Sequence, residues 1–134
     1  MTDLHFLVYS VLLTWLMLVS ASLMRAQAWT LSGLRVVFGN RADVPVPTNI
    51  AGRADRAAKN MLENLVLFVA LLFAGHAANV QPELLTRGAA TFFWARLLYW
   101  PVYVAGGIYL RTAVWAVALS GLSLITRAVL KSLM

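Results

Sequence analysis

Arg53, Arg56, Asn60 and Glu63 recur at i, i+3, i+7 and i+10 in the stretch GRADRAAKNMLENLVLF, residues 52 to 68. On a helix turning about 100° per residue they fall within a sector of roughly 80° and make one polar stripe about 15 Å long. Guanidinium groups offer forked donors to carboxylates, and a carboxylate offers an acceptor to an ammonium group. The stripe therefore suits an extended small ligand carrying several charges, or a ladder of ion pairs between helices. Lys59 and Asn64 lie beside it. Cations at a helix end also sit among lipid phosphates, which would explain Arg53, Arg56 or Lys59 taken singly. Asn60 and Glu63 resist that explanation because they lie where the sequence turns apolar, and a charge near a bilayer centre costs about 2.5 to 3.5 kcal/mol.

A second stripe complements the first. Arg96, Tyr99 and Tyr103 stand at i, i+3 and i+7, and Arg111 follows one short turn later. They place an always-charged guanidinium and two phenols on one helix face. Tyrosines there also suit an interfacial aromatic belt with Trp94 and Trp100, and an interhelical Arg96 to Glu63 ion pair would be a non-catalytic explanation of both residues. Arg53, Arg56, Lys59, Arg96 and Arg111 set five cations against Asp55 and Glu63. That surplus fits a zwitterionic ligand with excess carboxylate.

Cysteine is absent, so the protein has no thiol nucleophile and no thiolate metal site, and any thiol chemistry must come from a substrate. No histidines and acids are spaced as metal ligands, so no metal is expected. His76, near the far end of its segment, reads as an interfacial histidine rather than a general base.

The elements that carry these stripes are membrane helices. The chain has 134 residues, 61% hydrophobic and 12% charged, with a mean hydropathy of +0.77. A soluble domain is about half apolar and a quarter charged, so an all-α, multi-pass integral membrane protein is expected, as a single domain over residues 1–134. Four segments are predicted: about 4–24, 50–79, 83–105 and 108–130. The first lacks the basic start and small-residue cleavage site of a secretory signal and reads as a retained helix. The second is fully apolar only from Leu65 to Gly75, so it spans only if the polar turns from Gly52 to Asn64 continue the same helix. The prolines of GNRADVPVPTN, residues 39 to 49, predict an extended loop, followed by an N-cap at Thr48 or Asn49. Pro82 is expected at the start of the third helix, Pro101 to kink it, and Gly106-Gly107 to end it. The net charge of +6 does not imply nucleic acid, since no soluble basic module exists to bind it. The positive-inside rule, applied to Arg25, Arg35 and Arg41, places the loop between the first two segments in the cytoplasm, with Arg127 and Lys131 weighing against it.

At these residues the chain resembles the MAPEG superfamily, membrane-associated proteins in eicosanoid and glutathione metabolism. RADRAAKNMLEN matches its helix-two signature through Arg53, Arg56-Ala57, Asn60 and Glu63; RLLYWPVYVAGGIYLR matches the second through Arg96, Tyr99, Tyr103 and Arg111. The resemblance covers nearly the whole chain and suggests a short bacterial-type member in the inner membrane. It implies a homotrimer of four-helix subunits, with glutathione bound as co-substrate at the subunit interfaces. Arg53, Arg56, Asn60, Glu63, Arg96, Tyr99 and Tyr103 would hold the tripeptide, Arg111 would stabilise its thiolate and Thr112 would assist. Arg25 matches a family arginine only loosely. Val66 and Leu67 stand where many members have a proline, so a straighter second helix is expected.

The leading expectation is a membrane glutathione transferase or glutathione-dependent peroxidase for lipophilic electrophiles arriving through the lipid. The competing one is a non-catalytic lipid-binding or scaffold protein of the same fold. A small transporter is a third, weakened because the first helix carries no acid within its apolar run.

Overall fold

The computed structural model describes residues 1–39 and 46–134 and is all-helical: α1 Asp3–Ala26, α2 Leu31–Phe38, α3 Asn49–Ala77, α4 Pro82–Ala105 and α5 Ile108–Leu133. The four long helices coincide with the four expected segments to within a few residues. The short α2 was not expected. Its start is set by Thr30, whose hydroxyl accepts a hydrogen bond from the Gly33 N–H at 2.9 Å. Eight residues are too few to span a bilayer, and apolar periodicity over two turns is too brief to distinguish from loop. Arg41 and Pro45, the first of the expected loop's two prolines, lie outside the described residues.

α3 runs unbroken for 29 residues from an N-cap at Thr48, whose Oγ1 accepts from the Ala51 N–H at 3.2 Å. The polar turns from Gly52 to Asn64 do continue the apolar ones, and the helix reaches about 43 Å at 1.5 Å per residue. Pro82 occupies the first turn of α4, where its missing N–H is harmless. Gly106, at φ 89°, ends α4 in the left-handed region, and Gly107 opens α5. Pro101 lies inside α4, one turn before that end.

The long helices alternate in direction. One end of the molecule therefore gathers the C-termini of α1 and α4 with the N-termini of α3 and α5. Arg25 reaches Asp55 there at 3.8 Å, and Arg53 Nε donates to the Val104 carbonyl at 2.9 Å. At the other end His76 Nε2 meets the buried Asp3 carboxylate at 2.6 Å, and Ser132 donates to the Ala78 carbonyl.

α1, α3 and α5 are long and apolar enough to cross a membrane. α4, expected as the third spanning segment, has the length without the hydropathy: Glu83, Arg87 and Arg96 lower its average. It packs against α1, α3 and α5. Large apolar side chains cover the outside, among them Leu12 and Trp15 of α1 and Val66 and Phe73 of α3. Three spans and an apolar exterior make the chain an integral membrane protein.

Inside, Phe68 of α3 stacks on Phe92 of α4 with ring centroids 4.3 Å apart, while Met17 and Met61 fill the space toward α1. Ala51, Ala54, Ala57 and Ala58 give α3 a flat face for close approach, the usual device where lipid supplies no hydrophobic drive between helices. α4 and α5 meet at Gly88 and Gly121: a Cβ on Gly121 would lie 2.8 Å from the Gly88 carbonyl oxygen and 2.8 Å from the Phe92 nitrogen. Both obstacles are backbone, so neither can turn aside. Gly121→Ala should force the pair apart and lower stability by about 1 to 3 kcal/mol, read as a fall in melting temperature of the detergent-solubilised protein. A wild-type melt for this variant would mean that the two helices approach less closely.

Candidate functional site

The polar stripe of α3 straddles the edge of that helix's buried face. Arg53 and Asn60 lie within about 20° of each other, on the side toward α4; Arg56 and Glu63 lie some 60° further round. The side chains of Arg53 and Asn60 are accordingly half-buried, and those of Arg56 and Glu63 exposed. Asp55 and Lys59 turn toward α1, where Asp55 pairs with Lys59 at 3.1 Å and with Arg25. Arg53 is engaged in satisfying a terminal carbonyl of α4, one of the four that a helix end leaves without an intrahelical partner.

Asn60, Tyr99, Tyr103, Arg111 and Thr112 come together with Trp115 around a cleft of about 280 Å³ between α3, α4 and α5. The rings of Tyr99 and Tyr103 are 5.2 Å apart, and the Arg111 guanidinium carbon stands 5.0 Å from the Tyr103 ring centroid. Tyr99 is buried while Tyr103 and Arg111 are half-buried, so the cleft grades from a closed floor to an open, cationic mouth. Thr112 Oγ1 donates to the Ile108 carbonyl at 3.2 Å, which leaves its lone pairs toward the cleft as acceptors. Among the described residues the lining contains no acid.

Arg96 is fully buried behind this lining rather than in it. Its Nη1 donates to Asn60 Oδ1 at 2.8 Å, and its guanidinium lies over the Phe92 and Tyr99 rings at 5.5 and 5.3 Å. Among the described residues, Nε and Nη2 have no hydrogen-bond partner. The ion pair with Glu63 that the sequence allowed is not formed: Glu63 points outward, and Arg96 takes the Asn60 amide instead. Asn64, also buried, donates to the Asn60 carbonyl at 2.8 Å and stiffens the same turn.

Arg53, Arg56 and Glu63 thus stay outside the cleft, and Arg96 supports it from behind. Trp115 is the lining residue that sequence reasoning did not single out as part of the site. Its signal was present, since Trp115 stands four residues after Arg111 and three after Thr112 and so neighbours each of them on the helix surface. His76 lies 16 residues along α3 from Asn60, roughly 24 Å away at 1.5 Å per residue, and has no part in the cleft. No group of three or more histidines and acids arranged for a metal ion occurs among the described residues.

A comparison with curated proteins returns no significant match. At the level of families, residues 4–130 match the MAPEG family, which includes glutathione transferases and related proteins. That match takes in nearly all of the four long helices and every residue of the cleft, and the chain belongs to the MAPEG family.

Proposed function

We propose that the protein is a glutathione-dependent transferase or peroxidase, which activates the glutathione thiolate toward lipophilic electrophiles dissolved in the membrane. The observation that carries this reading is the cleft itself: Arg111 stands beside Tyr103 and near Tyr99 in a lining that holds no acid among the described residues. A thiolate beside a guanidinium in a site of low dielectric is favoured over the neutral thiol, which lowers the thiol pKa and raises the nucleophilic fraction near neutral pH. The substrate supplies the nucleophile and the protein supplies the charge. Thr112, whose hydroxyl hydrogen is already committed to Ile108, holds its oxygen toward the same space and would steer the thiol proton.

One subunit offers about 280 Å³, at or below the range of about 300 to 1,000 Å³ usual for small-molecule pockets. A charged tripeptide would overhang it. Arg56 and Glu63, exposed on the adjoining face of α3, would meet the overhanging part within a homotrimer whose subunits each cross the membrane four times, with α4 packed on α1, α3 and α5. Arg56 would pair with a carboxylate and Glu63 with the α-ammonium group. The end bearing Arg25, Arg35, Arg53, Arg56, Lys59 and Arg111 is the more basic, which supports a cytoplasmic mouth in a bacterial inner membrane.

The second reading, a non-catalytic lipid-binding protein, draws on the apolar groove of about 490 Å³ formed by Leu65, Val66, Val69, Ala70 and Phe73 on the outside of α3. Calorimetric titration of the detergent-solubilised protein with glutathione, followed by a conjugation assay on a model aromatic electrophile, separates the two. Saturable binding with turnover is expected; binding without turnover, or no binding, would overturn the enzyme reading.

A further inference from the structure

We infer that Arg96 never touches the ligand and acts on it through Asn60, locking that amide so that its nitrogen donates into the cleft. The inference rests on the proposed function for the identity of the ligand, and on the geometry alone for the lock. A guanidinium has five donors and no acceptor, so the Asn60 atom that faces it must be the oxygen. The Asn60 nitrogen is then turned the other way, toward the space bounded by Tyr99, Tyr103 and Arg111. A free asparagine side chain can present either end to a ligand. With its oxygen held by a charge-assisted bond of 2.8 Å, Asn60 presents only its donor end. Together with the Arg111 guanidinium, this gives the cleft two donor groups suited to a carboxylate.

Stability alone does not account for Arg96. The side chain is 0% exposed, and among the described residues its Nε and Nη2 have no partner. Among the described residues no carboxylate pairs with it. A buried charge satisfied by one amide and two aromatic faces is poorly compensated, and apolar side chains of similar volume commonly replace buried charges without loss of stability. The guanidinium therefore burdens the fold while ordering one group of the site, the usual relation between stability and a preorganised site.

The test is a double-substitution cycle on the full-length protein in detergent, with glutathione as probe and thermal melting as a second readout. Arg96→Met should weaken glutathione binding about 10-fold, as expected for loss of one charge-assisted hydrogen bond and the order it imposes. Asn60→Leu should weaken it at least as much. The combined variant should bind no more weakly than Asn60→Leu, because Arg96 has nothing left to act through. Multiplication of the two losses to about 100-fold would instead place Arg96 against the ligand and overturn the inference. In the melts, Arg96→Met should equal or exceed wild type, Asn60→Leu should fall below it by stranding the guanidinium, and the combined variant should recover. A melt of Arg96→Met far below wild type, or no recovery in the pair, would make Arg96 a structural residue and overturn the inference. If wild type takes up no glutathione, the proposed function falls, and the melts still decide whether the two side chains form the lock.

Discussion

Replacing Arg111 by alanine should lower the conjugation rate about 100-fold or more while leaving the melting temperature of the protein unchanged. Arg111 is half-buried at the cleft mouth and stacks over Tyr103 without an acid partner among the described residues, so its removal breaks no internal ion pair. Its contribution falls on the reacting sulfur. Deleting one preorganised charge-stabilising donor from an active site commonly costs 10²- to 10³-fold in turnover. The pH dependence gives the sign. A guanidinium beside the thiol favours the thiolate, so wild type should hold its rate down to a pH below the ordinary thiol range of about 8.5. In Arg111→Ala the rising limb should move upward by about one to three pH units, the range over which a neighbouring opposite charge shifts a pKa. Arg111→Lys should fall between the two, keeping the charge and losing the fork. Initial rates with glutathione and an aromatic electrophile between pH 6 and pH 9 are the measurement. A rate for Arg111→Ala within a few-fold of wild type would remove the proposed electrostatic step.

The second large effect is expected at Phe92. Its ring is fully buried, stacked on Phe68 at 4.3 Å and lying under the Arg96 guanidinium. Phe92→Ala should destabilise by about 2 to 3 kcal/mol, less than the 3 to 5 kcal/mol usual for such a truncation in a soluble core. The discount has a physical origin. In a membrane the separated helices leave Phe92 in hydrocarbon, so the transfer from water that dominates a soluble core is missing, and what remains is the cavity and the lost dispersion contacts. The cavity would also open beside Arg96 and admit water to a guanidinium that has two free nitrogens, loosening its hold on Asn60. Binding of glutathione should therefore weaken together with the melting temperature. Phe92→Leu, which refills most of the space without the ring, should recover most of the stability and less of the binding, because the cation-π contact is gone. Thermal melts and titrations of the two variants check this, and equal stability for Phe92→Ala and wild type would mean that the stack contributes nothing.

Period and composition determined most of the architecture. Four long helices, the continuation of α3 through its charged turns, the cap at Thr48 and the break at Gly106-Gly107 follow from local rules that tertiary contacts did not override. α2 escaped because two turns carry too little periodic signal. The two polar stripes were legible for the same reason as the helices: residues at i, i+3 and i+7 must share a face whatever surrounds them.

What the spacing left open was the rotation of each helix against its neighbours. An 80° stripe is wide enough to cross the edge of a helix's buried face, and rotation alone sent Asn60 inward while leaving Arg56 and Glu63 outside. The same packing committed Arg53 to a carbonyl of α4, drew Asp55 and Lys59 toward α1 and put Arg96 behind the cleft instead of in its wall. Sequence therefore determined which chemical groups share a helix face, because that depends only on the pitch of one helix. Which of them meet across helices was decided by the tertiary structure, because side-chain partners are chosen by the packing of apolar and small residues elsewhere on the same helices.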